Sequence, residues 1–194
     1  MKYHKNMIEI IFYGRGGQGA KSAAEILAQA AVSEGKFVQA FPNFGPERSG
    51  APIRAYVRIS ESKIRTHEPI TDPDMMVVLD ETLLGSEKIT DNLDRNEFLI
   101  INSKNSSETI RAKLAERGEK FDGKICPIDA DGISVKIIGQ SRPNTVILGK
   151  IIKISEVAKL ESVTREFRRI FLTKIGKEMT EKNIKAIEVA YDVI

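Results

Sequence analysis

Gly14-Arg15-Gly16-Gly17-Gln18-Gly19 follows an apolar run at residues 8–13 and precedes an alanine-rich stretch at residues 20–33. A strand, a glycine loop and a helix in that order make a unit whose loop can approach a ligand closely. The free N–H groups of the first helical turn favour an anion there. Ala20, Ala23, Ala24, Leu27, Ala30 and Ala31 recur at helical spacing and are small enough for close packing on a sheet, and Gly35 is the expected stop. Residues 36–41 then read as a second strand.

Outward from that unit, Ile53, Ala55, Val57 and Ile59 alternate with Arg54, Tyr56, Arg58 and Ser60, which predicts a half-exposed strand. A turn at residues 61–63 would lead to a partner strand at 64–66, an inserted antiparallel hairpin. Residues 75–79 and 98–102 are nearly continuous apolar runs, as expected of central parallel strands covered on both faces. Ser107 is the expected cap of a helix reaching Arg117 and stopped by Gly118, and residues 124–129 form a further strand. Residues 145–154 read as a core helix. Within residues 163–175, Phe167, Ile170, Phe171 and Ile175 make one helical stripe, and within residues 178–193, Ile184, Ile187 and Tyr191 make another. The expected fold is α/β: a Rossmann-like, mostly parallel sheet with helices on both faces, an inserted antiparallel hairpin and a helical carboxy terminus. The 194 residues contain no low-complexity linker, so residues 1–194 are expected to form a single domain.

Composition narrows the function. Apolar residues make up 41% and charged residues 29% of the chain with a net charge of +3, the balance of a folded protein. Basic and acidic residues are interspersed, so nothing marks a nucleic-acid footprint. The apolar runs are too short to span a bilayer and residues 1–6 carry no signal-peptide pattern, which predicts a cytoplasmic protein with no membrane partner. The single cysteine, Cys126, precludes an internal disulfide or a cysteine-held iron–sulfur cluster built by this chain alone. It is expected to be a buried, inert thiol. His4 and His67 are isolated from each other and from Cys126, so no metal site is expected.

The glycine loop must be weighed against its usual meanings. Gly14, Gly16 and Gly19 match the dinucleotide fingerprint, yet the second strand ends at Phe41-Pro42 without the acidic residue that would bind ribose hydroxyls. Glu34 has about the right spacing but stands at a helix end. A nucleoside-triphosphatase reading fails because Ala20 separates Gly19 from Lys21, which turns the lysine about 100° around the helix. Close helix packing alone would account for one or two glycines, whereas four of them with Arg15 and Gln18 point to a ligand or an interface. A second unusual segment, residues 41–52, contains three prolines and two glycines, which fix its path and present Asn43, Glu47, Arg48 and Ser49. The plainer alternative is that Glu47 and Arg48 are solvated while Phe41 and Phe44 plug the core.

These two segments resemble the gamma subunit of 2-oxoacid:ferredoxin oxidoreductases, the group that includes pyruvate synthase and 2-ketoisovalerate oxidoreductase. The resemblance runs from Ile8 to about Lys153. It rests on the glycine loop, Phe44-Gly45-Pro46-Glu47-Arg48-Ser49-Gly50-Ala51-Pro52, Asp72-Pro73-Asp74, Leu79-Asp80, Arg142-Pro143-Asn144-Thr145 and Leu148-Gly149. It implies one piece of a complex that converts a 2-oxoacid, coenzyme A and oxidised ferredoxin into acyl-coenzyme A, carbon dioxide and reduced ferredoxin. Thiamine diphosphate and iron–sulfur clusters would then belong to alpha, beta and delta partner subunits. No residue of this chain is a convincing acid, base or nucleophile. What remains for it is coenzyme A docking, with Gly16, Gly17, Gln18 and Gly19 as a backbone cradle and Arg15 and Arg48 as charge. Asn144 would cap the apolar helix or face the same crevice, the cap being the favoured role. A purely structural interaction subunit and a nicotinamide-binding dehydrogenase are the alternatives.

Overall fold

The computed structural model describes residues 6–43 and 50–193. Six strands form one sheet: β1 (Met7–Arg15), β2 (Phe37–Asn43), β3 (Pro52–Ser60), β4 (Met75–Val78), β5 (Phe98–Asn102) and β6 (Lys124–Ile128). Their spatial order is β2-β3-β1-β4-β5-β6. β1, β4, β5 and β6 run parallel to one another, and β3 runs against both β1 and β2. The α/β expectation with a mostly parallel sheet therefore holds. Every residue of β4 and β5 is buried, which explains their unbroken apolar sequence.

The helices are α1 (Ala20–Ser33), α2 (Ser107–Glu116), α3 (Ala130–Ile138), α4 (Pro143–Ser155) and α5 (Leu160–Asp192), with a short 3₁₀ helix at Glu81–Gly85. α1, α3, α4 and α5 cover one face of the sheet, packing on Ile10, Phe12, Val57, Val77 and Ile100. The opposite face, with Ile11, Tyr13, Met76, Leu99 and Ile101, is covered by α2, the 3₁₀ helix and loop residues such as Ile70 and Ile89. Gly149 lets α4 lie directly on α5: a Cβ there would stand 2.7 Å from the Tyr191 backbone nitrogen.

Four sequence expectations need correction. An antiparallel hairpin is present, but it joins β2 to β3 rather than residues 53–60 to 64–66, which form no strand, and β3 also pairs with β1. Residues 55–60 are buried throughout, because β3 lies inside the sheet, not at its edge. Its alternating polar residues meet partners across the strands: Arg58 donates to Glu9 (2.5 Å) and Gln39 (3.3 Å) and lies 5.8 Å over the Phe41 ring. Ser106, one residue earlier than expected, caps α2 by accepting the Thr109 N–H. Gly176 adopts φ 77° and ψ 165° and breaks α5 between the two expected helical segments, residues 163–175 and 178–193. Phe167 and Phe171 stack within the first part at 4.6 Å, whereas Ile175, beside the break, leaves the apolar stripe and is 39% exposed. α3 was not anticipated, although Asp129 caps it through the Gly132 N–H and a left-handed Gly139 ends it.

Candidate functional site

β1 leads through α1 toward β2 on one side of the sheet, and β4 leads through the 3₁₀ helix toward β5 on the other. The chain therefore diverges between the carboxyl ends of β1 and β4, the place where open α/β sheets receive ligands. The glycine loop extends from β1, and Leu79, Asp80 and Glu81 from β4. A crevice of about 590 Å³ opens there, bounded by Gly17, Gln18, Asp80, Asn102, Arg142 and Asn144.

One hydrogen-bond network shapes the loop. Asp80 Oδ2 accepts from Gln18 Nε2 (2.8 Å) and pairs with Arg15 Nε (3.2 Å), while Oδ1 accepts the Thr82 N–H (2.9 Å) and hydroxyl (2.6 Å). Gln18 Oε1 in turn accepts the Arg15 N–H at 2.7 Å. Arg15 also donates to Thr82 Oγ1 (2.8 Å) and to the Gly50 carbonyl (3.2 Å). Burial pushes the Asp80 carboxyl upward, but the hydrogen bonds from Thr82 and Gln18 and the Arg15 charge outweigh it and hold the pKa below the usual carboxylate value. Glu81 behaves alike: burial raises its pKa, and Lys113, Ser103 and Asn105 together bring it below normal.

The remaining acids of the crevice are engaged as well. Asp129 caps α3, and Asp131 accepts from Asn102 Nδ2 (2.8 Å) and Ser141 Oγ (2.5 Å). Lys104, by contrast, carries no ion pair among the described residues, and Arg142 reaches only Gln140 Oε1 at 3.4 Å.

The expected cradle is partly engaged by the protein itself. Gly16 N–H donates to the Ala51 carbonyl (2.9 Å) and Gln18 N–H to the Arg15 carbonyl (3.0 Å). Gly17 and Gly19 N–H have no partner among the described residues. Gly19 has φ 80°, and a Cβ there would stand 2.7 Å from Asn144 Cγ, so α1 and α4 begin against each other. Asn144 does not cap α4: Arg142 holds that position, and Asn144, the second helical residue, lines the crevice. Neither α1 nor α4 has a side-chain cap, whereas Ser106, Asp129 and Asp80 cap α2, α3 and the 3₁₀ helix. Arg48 lies outside the described residues.

A family model described as pyruvate ferredoxin/flavodoxin oxidoreductase matches residues 9–193. The chain belongs to this family. It is 46% identical over 186 residues to the pyruvate/ketoisovalerate oxidoreductases common subunit gamma of Thermococcus kodakarensis, covering 96% of each chain. It is 39% identical over 194 residues to the pyruvate synthase subunit PorC of Thermotoga maritima, covering 100% of this chain and 98% of the relative. The crystal structure of the Thermotoga maritima pyruvate oxidoreductase subunit PORC superposes with a TM-score of 0.84 over 97% of both chains, at 38% identity. The fold also matches part of the 2-oxoglutarate:ferredoxin oxidoreductase of Magnetococcus marinus, solved with 2-oxoglutarate, coenzyme A and succinyl-CoA, with a TM-score of 0.73. That likeness, at 20% identity, covers 96% of this chain and 31% of the larger one.

This chain is thus a gamma-type subunit of the oxidoreductase family, and its own donor set limits what it can hold. Cys126 lies half-buried on β6; burial raises its thiol pKa, against the opposing charges of Lys150 and Lys124. Among the described residues no three His, Cys, Asp or Glu side chains are grouped to hold a metal ion. No described helix is long and apolar enough to cross a membrane. Glu34, rejected above as a ribose ligand, accepts the Lys159 N–H at 2.7 Å. Two crevice residues escaped the sequence reading as site residues. Asp80 had a signal, an acid at the carboxyl end of an apolar strand, and Arg142 stood in the quoted Arg-Pro-Asn-Thr stretch.

Proposed function

We propose that the crevice docks the phosphate end of coenzyme A within a multi-subunit oxidoreductase that converts a 2-oxoacid, with pyruvate the leading candidate, coenzyme A and oxidised ferredoxin into acyl-coenzyme A, carbon dioxide and reduced ferredoxin. The observation that carries the reading is the convergence of two uncapped helix starts, α1 and α4, beside Gly17 N–H, Gly19 N–H and Arg142. Backbone donors at helix starts and a guanidinium together suit phosphate oxygens. Arg15 contributes by shaping the loop, since its guanidinium already faces Asp80, Thr82 and Gly50. Arg48 supplies further charge from the second segment.

Thiamine diphosphate and the iron–sulfur clusters belong, in this reading, to alpha, beta and delta partners. One half-buried cysteine and the absence of a grouped ligand set among the described residues do not fit either group. The cofactors supply carbanion and electron chemistry, and this chain supplies substrate placement and assembly.

The test uses the complex purified from its native cells without oxygen and assayed by 2-oxoacid-dependent dye reduction. Arg142→Ala should raise the KM for coenzyme A roughly tenfold, the loss of one charged hydrogen-bonding partner, with kcat and the 2-oxoacid KM unchanged. Arg48→Ala should act in the same direction. A normal KM in an intact complex overturns the docking role. Loss of assembly in both variants would favour a purely structural subunit.

A further inference from the structure

We infer that Asp80 is the positioning residue of the glycine loop, holding it in its ligand-ready shape and fastening it to the Gly50 end of the second signature segment. The two carboxylate oxygens divide the work. Oδ1 faces the 3₁₀ helix, accepting the Thr82 N–H and hydroxyl, and Oδ2 faces the loop, accepting from Gln18 Nε2 and pairing with Arg15 Nε. Gln18 passes the constraint on by accepting the Arg15 N–H, and Gln18 N–H closes the turn on the Arg15 carbonyl. Arg15 then reaches the Gly50 carbonyl while Gly16 N–H binds the Ala51 carbonyl.

Asp80 therefore orients the loop through Gln18 and Arg15. The Asp80 side chain is 17% exposed; its bond from Gln18 is partly buried, whereas its bonds from Thr82 lie at the surface. With Oδ2 satisfied by Gln18 and Arg15, the loop holds Gly17 in the crevice wall, and the N–H groups of Gly17 and Gly19 have no partner among the described residues. An acidic residue beside a phosphate site would ordinarily oppose binding. This one is neutralised by Arg15, so it sets geometry without presenting a free negative charge.

The kinetic part of the test rests on the coenzyme A reading, and the exchange part does not. Asp80→Asn is the informative variant, because its amide oxygen still caps the Thr82 N–H while its NH₂ group faces the Gln18 and Arg15 donors. Gln18→Leu removes the other half of the link with no change of charge. In the purified complex, hydrogen–deuterium exchange over residues 14–19 should accelerate in both single variants. The KM for coenzyme A should rise roughly tenfold with kcat unchanged. The double variant should be no worse than the worse single one, because the two residues act through each other. Unchanged exchange in Asp80→Asn, or single effects that multiply in the double variant, would overturn the inference. Faster exchange with a normal KM for coenzyme A would uphold the clamp and overturn coenzyme A docking instead.

Discussion

Two clefts of equal volume, about 590 Å³ each, lie on this subunit and handle charge differently. The first is the glycine-loop crevice. The second lies over β1 and β3 on the α2 face, floored by Ile11, Tyr13, Tyr56 and Met76 and rimmed by Arg54 and Glu87. There the Tyr13 hydroxyl donates to Glu87 (2.9 Å) and accepts from Arg54, whose guanidinium lies 4.6 Å over the tyrosine ring and 3.6 Å from Glu87. Each of these three groups is answered by the other two. In the crevice the carboxylates are answered, but backbone donors and two cations are left over. Size does not separate the clefts; surplus donors do.

The largest expected effect breaks the crevice. Gly19→Ala places a side chain at φ 80° and displaces Asn144, so about 1–2 kcal/mol of backbone strain adds to about 1–3 kcal/mol of overpacking. Thermal unfolding should report it, and a variant as stable as the parent would show that α1 and α4 do not meet as described. The next effect strikes the second cleft from the alkaline side. Burial and the hydrogen bond to Glu87, against the pull of Arg54, push the Tyr13 pKa up to about 12 from 10.0. A raised folded-state pKa means that this contribution is complete below pH 10 and is lost as pH climbs toward 12, about 2 kcal/mol in all. Unfolding midpoints measured from pH 9 upward should fall less steeply in Tyr13→Phe than in the parent.

At neutral pH the same Tyr13→Phe change should cost about 1 kcal/mol by removing one hydrogen bond, and it should leave the KM for coenzyme A untouched. A shifted KM would join the two clefts functionally and dissolve the contrast. The smallest effect comes from acid. The Asp80 pKa is lowered on folding, so its contribution is present above the ordinary carboxylate pKa and disappears as pH falls through the folded value. Denaturation curves below pH 4 should be shallower for Asp80→Asn, whereas Tyr13→Phe should follow the parent there.

Legibility followed the range of the interactions involved. Strand β1, the glycine loop and α1 were readable because their pattern is local: an apolar run, four glycines and small residues at helical spacing. β4 and β5 were readable because burial on both faces leaves no room for polar residues. The glycine loop does meet Asn144 and the Gly50 end of the second segment. Their functions within the crevice were less visible. Arg15 appeared to be a free charge because nothing local reveals that Asp80, 65 positions later, stands 3.2 Å from its Nε. Asn144 appeared to be a cap because Pro143 marks the helix start, and only its packing on Gly19 turns it toward the crevice.

By itself the sequence determined the α/β class, the family and the strand, glycine loop and helix unit around residues 14–19, because periodicity, glycine placement and motif order are properties of adjacent residues. Tertiary structure alone decided that β3 is an interior strand and which donors of the crevice remain open among the described residues. Those outcomes depend on which distant groups satisfy one another once the sheet brings its carboxyl ends together, and hydrogen-bond satisfaction across such distances leaves no local pattern to read.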